Sequence, residues 1–283
     1  MAHSLGTCGV LRRIAALGIL GRARPARASS AVLLGVLVAC GDPASDGSVL
    51  SHVAQPILGG SADTQHSAVM LLLDRRGFLC TGTVIQAAEQ TGFLLTAAHC
   101  VTDESGASLS PDDFLVVPGD DFAESTRAFS VESVSVAPGY DGSFAADDIA
   151  VVRFFSEDVP LPAIPVLGPA QDALGVGDAL LLVGYGQTET DEDNTLRRQV
   201  SRTIEALDAQ LIVYTQEDAR GACFGDSGGP VLARVGGEER VAAVISGGVS
   251  DEGEGCAGGV GVAIRASGHD AFIQGAIGSG APG

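Results

Sequence analysis

The 283-residue chain contains no lysine and no tryptophan. Its 16 basic residues are all arginine, set against 35 acidic ones, for a formal net charge of −19. So acidic a chain lacks the basic surface that neutralising phosphates requires, which argues against nucleic acid as a partner. The charge reads instead as a soluble, self-repelling surface. Cysteine and histidine occur at no zinc-binding spacing, so no metal site and no cofactor are expected. No repeat period is present, and the 39 glycines therefore punctuate turns rather than mark low complexity. The lysine-free, alanine- and glycine-rich composition suggests a GC-rich bacterial source.

No apolar run is long enough to span a bilayer as a helix. What is present near the start is shorter. Residues 1–39 form an acid-free leader with Arg12, Arg13, Arg22, Arg24 and Arg27, followed by an apolar stretch over 31–39 that has the length of a signal-peptide core. It ends in Leu37-Val38-Ala39-Cys40, which resembles a bacterial lipoprotein signal in which Cys40 is lipidated and becomes the first residue. The alternative is an ordinary signal peptide cut near Ala39. Either reading exports the protein, as a membrane-anchored lipoprotein or a secreted one, and loss of the leader takes the net charge from −19 to −24. Residues 40–56 are polar and turn-rich, as in a linker or pro-segment.

From Ile57 onward short runs rich in β-branched residues recur, separated by Gly, Pro, Asp or Ser. They cover 68–73, 79–85, 93–97, 114–117, 130–136, 149–155, 179–184, 195–204, 211–214, 230–235, 241–245 and 259–264. This is the pattern of an all-β barrel or sandwich. Residues 270–274 are expected to form a short helix.

Three islands carry the chemistry. They are Thr96-Ala97-Ala98-His99-Cys100, then Asp147-Asp148-Ile149-Ala150, then Gly225-Asp226-Ser227-Gly228-Gly229-Pro230. A serine hydroxyl is a weak nucleophile until a base takes its proton, and the base needs a third group to orient it. The order His, Asp, Ser is one of the known solutions. The Gly-x-Ser-x-Gly sequence also fits a nucleophile elbow, whose order Ser227, Asp251, His269 the chain could supply. However, Gly228-Gly229-Pro230 is a poor helix start. The chain after Ser227 is also too short for further βα units of about 30 residues each.

On these islands the chain resembles the trypsin/chymotrypsin-like serine endopeptidases over about 220 residues from Ile57. The resemblance implies two six-stranded antiparallel Greek-key barrels with the active site between them and a short C-terminal helix. Residues 57–163 would form the barrel carrying His99 and Asp148, and residues 164–277 the barrel carrying Ser227. It implies Ser227 as nucleophile, His99 as general base and acid, and Asp148 rather than Asp147 as orienting carboxylate. The backbone N–H groups of Gly225 and Ser227 would form the oxyanion hole. Ser246 would hydrogen-bond the aspartate. Of six cysteines, Cys8 leaves with the leader and Cys40 would be lipidated. The remaining four allow three pairings, of which the resemblance selects Cys80–Cys100 and Cys223–Cys256.

The resemblance also implies maturation by a cut before Ile57-Leu58-Gly59-Gly60, the new ammonium pairing with Asp226. Gln55-Pro56 precede that point, so the maturing protease would not be trypsin-like. If Cys40 is lipidated, the cut would also release the catalytic part from the membrane. Where trypsins carry an aspartate at the base of the substrate pocket, this chain has Gly221, followed by Ala222. Ser246 would also belong to the pocket, Gly248 and Gly259 would form its entrance and wall, and Gly247 replaces the family's usual tryptophan. An uncharged pocket lined by small residues suggests an apolar or aromatic substrate side chain, although Asp251, Glu252 and Glu254 nearby could attract a basic group. Protein or peptide substrates and a monomer are expected. The alternative reading is a catalytically silent, protease-like binding module.

Overall fold

The computed structural model describes residues 57–144, 147–157, 160–188, 194–249, 256 and 258–278. The leader, Cys40, the pro-segment and Asp251, Glu252 and Glu254 lie outside the described residues.

Twelve strands close into two antiparallel barrels. The first barrel takes β2 (Val69–Asp74), β3 (Leu79–Ala88), β4 (Thr91–Thr96), β5 (Phe114–Val117), β6 (Phe129–Val136) and β7 (Ala150–Phe155), in the closed order β2-β3-β4-β7-β6-β5. The second takes β8 (Ala179–Gly184), β9 (Arg198–Leu207), β10 (Leu211–Thr215), β11 (Pro230–Val235), β12 (Glu238–Val249) and β13 (Val260–Arg265), closed by the pairing of β8 with β9. A two-residue strand, β1 (Ser61–Ala62), adds to β9 from outside. The helix α1 (Asp270–Gly278) ends the fold. Closure removes the unpaired edges that an open sheet of this size would expose.

The period-2 alternation of side chains explains why these strands are apolar on both faces. In β2, Met70 and Leu72 enter the core of the first barrel, while Val69 and Leu71 join a cluster that draws on both barrels. In β4, Leu94 points inward, and Phe93 and Leu95 join the shared cluster. In the second barrel, Leu180 and Leu182 fill its interior while Val183 joins the shared cluster. Ile212 and Tyr214 alternate in the same way with Leu211 and Val213. Phe272 and Ile273 of α1 pack on the shared cluster as well. A fully buried Val, Leu or Phe contributes about 1.5–3 kcal/mol, so the barrel-to-barrel seam is built like a core and not like a hinge.

Three strands coincide with the sequence reading: 114–117, 179–184 and 230–235. Others differ for physical reasons. β12 begins at Glu238 rather than Val241, because a two-glycine turn with positive φ at Gly236 and Gly237 lets the polar residues Glu238, Glu239 and Arg240 continue the ladder with β11. β9 starts three residues later than expected, at Arg198. Leu196 makes only an isolated bridge to Asp121, and the Asn194 side chain caps the turn by accepting from Leu196 N–H and donating to Leu196 O. Residues 164–167 between the barrels are tied to both: Ile164 N–H donates to Val84 O of the first, while Val241 N–H donates to Pro165 O and Leu167 N–H to Val241 O in the second.

Candidate active site

Strand register brings the three islands together. Thr96 at the end of β4 pairs with Ala150 at the start of β7. His99 lies three residues past the first and Asp148 two residues before the second, so both emerge at the same end of neighbouring strands. In the second barrel Pro230 pairs with Val244, which by the same logic places Ser227 beside Ser246. The two barrels then meet at the serine loop. Thr81 of β3 donates its N–H to Ser227 O and its hydroxyl to Gly225 O, each at 2.8 Å. Gly228 permits this approach. It sits at φ +83, and a Cβ there would come within 2.1 Å of the Thr96 hydroxyl and 2.3 Å of Thr81 O.

His99 sits in a one-turn 3-10 helix, Ala98–Cys100, tied to β3 by the disulfide Cys80–Cys100. The Asp148 carboxylate is fully buried and holds this histidine twice. Oδ2 is 2.7 Å from His99 Nδ1, and Oδ1 accepts the His99 backbone N–H at 2.8 Å. Such a grip places the ring proton on Nδ1 and leaves Nε2 as the free base. Burial alone would lower the His99 pKa, but the Asp148 charge and hydrogen bond outweigh it, and the net shift is upward from 6.5. Ser246 Oγ lies 2.5 Å from both Asp148 Oδ2 and Phe144 O. Its one proton serves one acceptor at a time, and the charged carboxylate is the stronger. Asp147 is turned elsewhere: it binds His269 Nε2 at 2.7 Å.

Ser227 and His99 line one cavity of about 560 Å³. No hydrogen bond joins Ser227 Oγ to His99 Nε2 among the described residues. The backbone N–H groups of Gly225 and Ser227 likewise donate to no acceptor among the described residues. Gly225 sits at φ +97, a conformation open to glycine.

Asp226 is fully buried. Its oxygens accept N–H bonds from Gly186 and Cys223, each at 2.8 Å, and no cation pairs with it among the described residues. Burial, only partly offset by those two bonds, pushes its pKa up to about 7 from 3.8. Between these two values the unfolded chain has released the proton while the folded chain keeps it, so the intact chain loses stability as pH rises through this window. One pKa unit is worth 1.36 kcal/mol, so the loss attributable to this group reaches about 4 kcal/mol. Melting of the intact chain from pH 4 to 8 should show this slope and Asp226→Asn should flatten it; parallel curves would refute the assignment.

Ala222, Ser246 and Gly248 line the cavity together with Cys223 of the second disulfide, Cys223–Cys256. Gly221 does not line it, contrary to the sequence expectation, because the Gln216 side chain lies over it. A Cβ at Gly221 would meet Gln216 Cδ at 2.5 Å. Neither Gln216 nor Thr81 was marked in the sequence. Gln216 opens a polar turn like many others, and Thr81 lies within a strand. Cys80, His99 and Cys100 also cluster as metal ligands might, but the two sulfurs are joined to each other and offer no thiolate.

Comparison with known proteins agrees with this architecture. The neutrophil elastase of Mus musculus is 28% identical over 225 residues, 73% of this chain and 77% of that protein. Trypsin eta of Drosophila erecta is 27% identical over 236 residues, 72% and 83% respectively. CLIP domain-containing serine protease B4 of Anopheles gambiae is 25% identical over 209 residues, 61% of this chain, and the chain spans only 55% of that protein's length. The family model described as Trypsin matches residues 57–273. That match spans the described residues from Ile57 into α1, and the chain accordingly belongs to the trypsin family.

Proposed function

We propose that this protein is an exported serine endopeptidase that hydrolyses peptide bonds in protein substrates through an acyl-enzyme. The observation that carries the reading is the double hold of Asp148 on His99, in a cavity that also contains Ser227. Ser227 Oγ attacks the carbonyl carbon and gives its proton to His99 Nε2. The oxyanion is received by the N–H groups of Gly225 and Ser227, each donor of this kind being worth about 3 kcal/mol. Collapse breaks the C–N bond, and the leaving amine takes the proton from His99. Water then attacks the ester carbon, losing a proton to His99; collapse breaks the C–Oγ bond, the acid leaves, and His99 returns the proton to Ser227 Oγ.

Maturation by cleavage between Pro56 and Ile57 belongs to this reading. The Ile57 side chain is already fully buried in the second barrel's core, and Leu58 bridges Gly221, five residues before Asp226. A new ammonium at Ile57 would give the buried Asp226 the counter-charge it lacks among its described neighbours. Lipidation at Cys40 would hold the uncut form at a membrane. The other reading, a silent binding module, draws on the unmade Ser227–His99 hydrogen bond.

Labelling with a fluorophosphonate probe, read by intact mass, separates these readings. Two forms are compared, one beginning at Ile57 and one retaining residues 41–56. Labelling of the Ile57 form alone, abolished by Ser227→Ala, is the expected result. Labelling of both forms removes the activation step, and labelling of neither, with both folded, leaves the binding module.

A further inference from the structure

One side chain lining the cavity beside Ser227 does not come from the segment leading into the serine loop. Gln216 lies at the end of β10 and is only 4% exposed. Its carboxamide is locked in place: Nε2 donates to Cys256 O at 2.8 Å and to Ala222 O at 3.3 Å, and Oε1 accepts Ala222 N–H at 3.0 Å. It therefore spans both sides of the Cys223–Cys256 loop. Gln216 Cγ, Cδ and Oε1 all fall within 2.6 Å of where a side chain at Gly221 would begin. The walls around it include Ala222, Ile245, Gly248 and Val260.

We propose that the Gln216 side chain is the floor of the pocket that receives the substrate side chain preceding the scissile bond, and that it selects apolar side chains of moderate length over charged ones. This rests on the endopeptidase reading above. Both amide protons are already used, so the floor has no donor left for a carboxylate. It carries no charge to meet an ammonium or guanidinium, and a buried cation without a partner is strongly disfavoured. One lone pair on Oε1 is all it offers, while the walls reward apolar surface. The pocket also ends at the carboxamide rather than at the Gly221 backbone, which limits its depth.

The test uses tetrapeptide p-nitroanilides that differ only in the residue before the scissile bond: Val, Leu, Phe or Lys. Assays use the form of the protein that labels with fluorophosphonate. The native protein should favour Val or Leu over Lys by at least about 100-fold in kcat/KM, the scale set by an unpaired buried polar group. Gln216→Ala should deepen the pocket and raise the Phe-to-Val ratio by about tenfold, mainly through KM. Gln216→Glu should raise the Lys-to-Leu ratio by about tenfold or more, because it places a carboxylate on the floor. The labelling rate of each variant reports whether Ser227 and His99 survive the change. Variants that label at the native rate yet keep the native profile overturn the floor assignment alone. A native profile that prefers Lys overturns it as well. Failure of the native protein to label in any form overturns the endopeptidase reading and this proposal with it.

Discussion

Asp148→Asn is expected to lower kcat by about 10⁴-fold while leaving the fold intact. Asparagine fits the same space, but its amide N–H facing His99 Nδ1 would force the ring proton onto Nε2, and the base would face Ser227 with a proton already in place. The pH profile carries a second signature. His99 acts as a base only when neutral, so kcat/KM of the native protein should fall as pH drops through a value above 6.5, in the direction of its raised pKa. Removing the Asp148 charge leaves burial, which lowers that pKa, unopposed, and the acidic limb should move to lower pH in the variant. Steady-state rates normalised to titrated active sites, measured from pH 5 to 9, provide both readouts. A drop of less than about tenfold, with an unmoved limb, would mean that His99 is oriented by something else. Ser246→Ala should also lower kcat but by a smaller factor, since it removes one of the three hydrogen bonds that Asp148 accepts among the described residues.

The second large effect concerns stability. Arg197→Ala should destabilise the protein by about 3–5 kcal/mol, because it strands a buried carboxylate. Arg197 is one of the largest fully buried side chains, and every arm is used. Nε donates to Asp63 at 2.9 Å, one terminal nitrogen to Val69 O, Gly119 O and Tyr185 Oη, and the other to Asp120 at 2.5 Å. These partners come from the segment just after Ile57, from the first barrel and from the second, so a single guanidinium clasps three parts of the chain. Burial would raise the Asp63 pKa, but hydrogen bonds from His66, Arg197 and the Gln65 amide prevail and hold it at about 2. For a domain of this size the loss corresponds to a fall in melting temperature of about 10 °C. Denaturant titration with the disulfides intact would measure it. The double variant Asp63→Asn with Arg197→Met should recover a large part of the loss, since an absent pair costs far less than a broken one. A loss below about 1 kcal/mol for Arg197→Ala would show that water or His66 compensates for the missing charge.

How much of this was legible in advance depends on the range of the interaction. Strands 114–117, 179–184 and 230–235 could be read directly because their apolar runs end at turn-forming residues, a local signal. The histidine, aspartate and serine islands stood out for the same reason, each being a short motif with its own flanking residues. Interactions between residues far apart in the chain leave no such local signal. His66 and His269 had no sequence context, yet the first binds Asp63 and Glu239 and the second binds Asp147. Arg197 reads as part of a strand and is in fact the hub of a buried ion cluster. Gly221 reads as the pocket base and is hidden beneath a glutamine five positions earlier.

By itself, then, the sequence determined the all-β class, the strand periodicity and which residues could supply a nucleophile, a base and an orienting carboxylate, because these follow from side-chain alternation and short-range chemistry. The resemblance names Asp148 and the two cysteine pairs; the tertiary structure is what brings them together, and it alone decided that Asp226 is buried with no cation beside it among the described residues. It alone also placed Gln216 among the residues that line the cavity. Each of these depends on two segments far apart in the chain being brought within a hydrogen bond's length, and that distance is set by barrel closure and strand register, which no local pattern encodes.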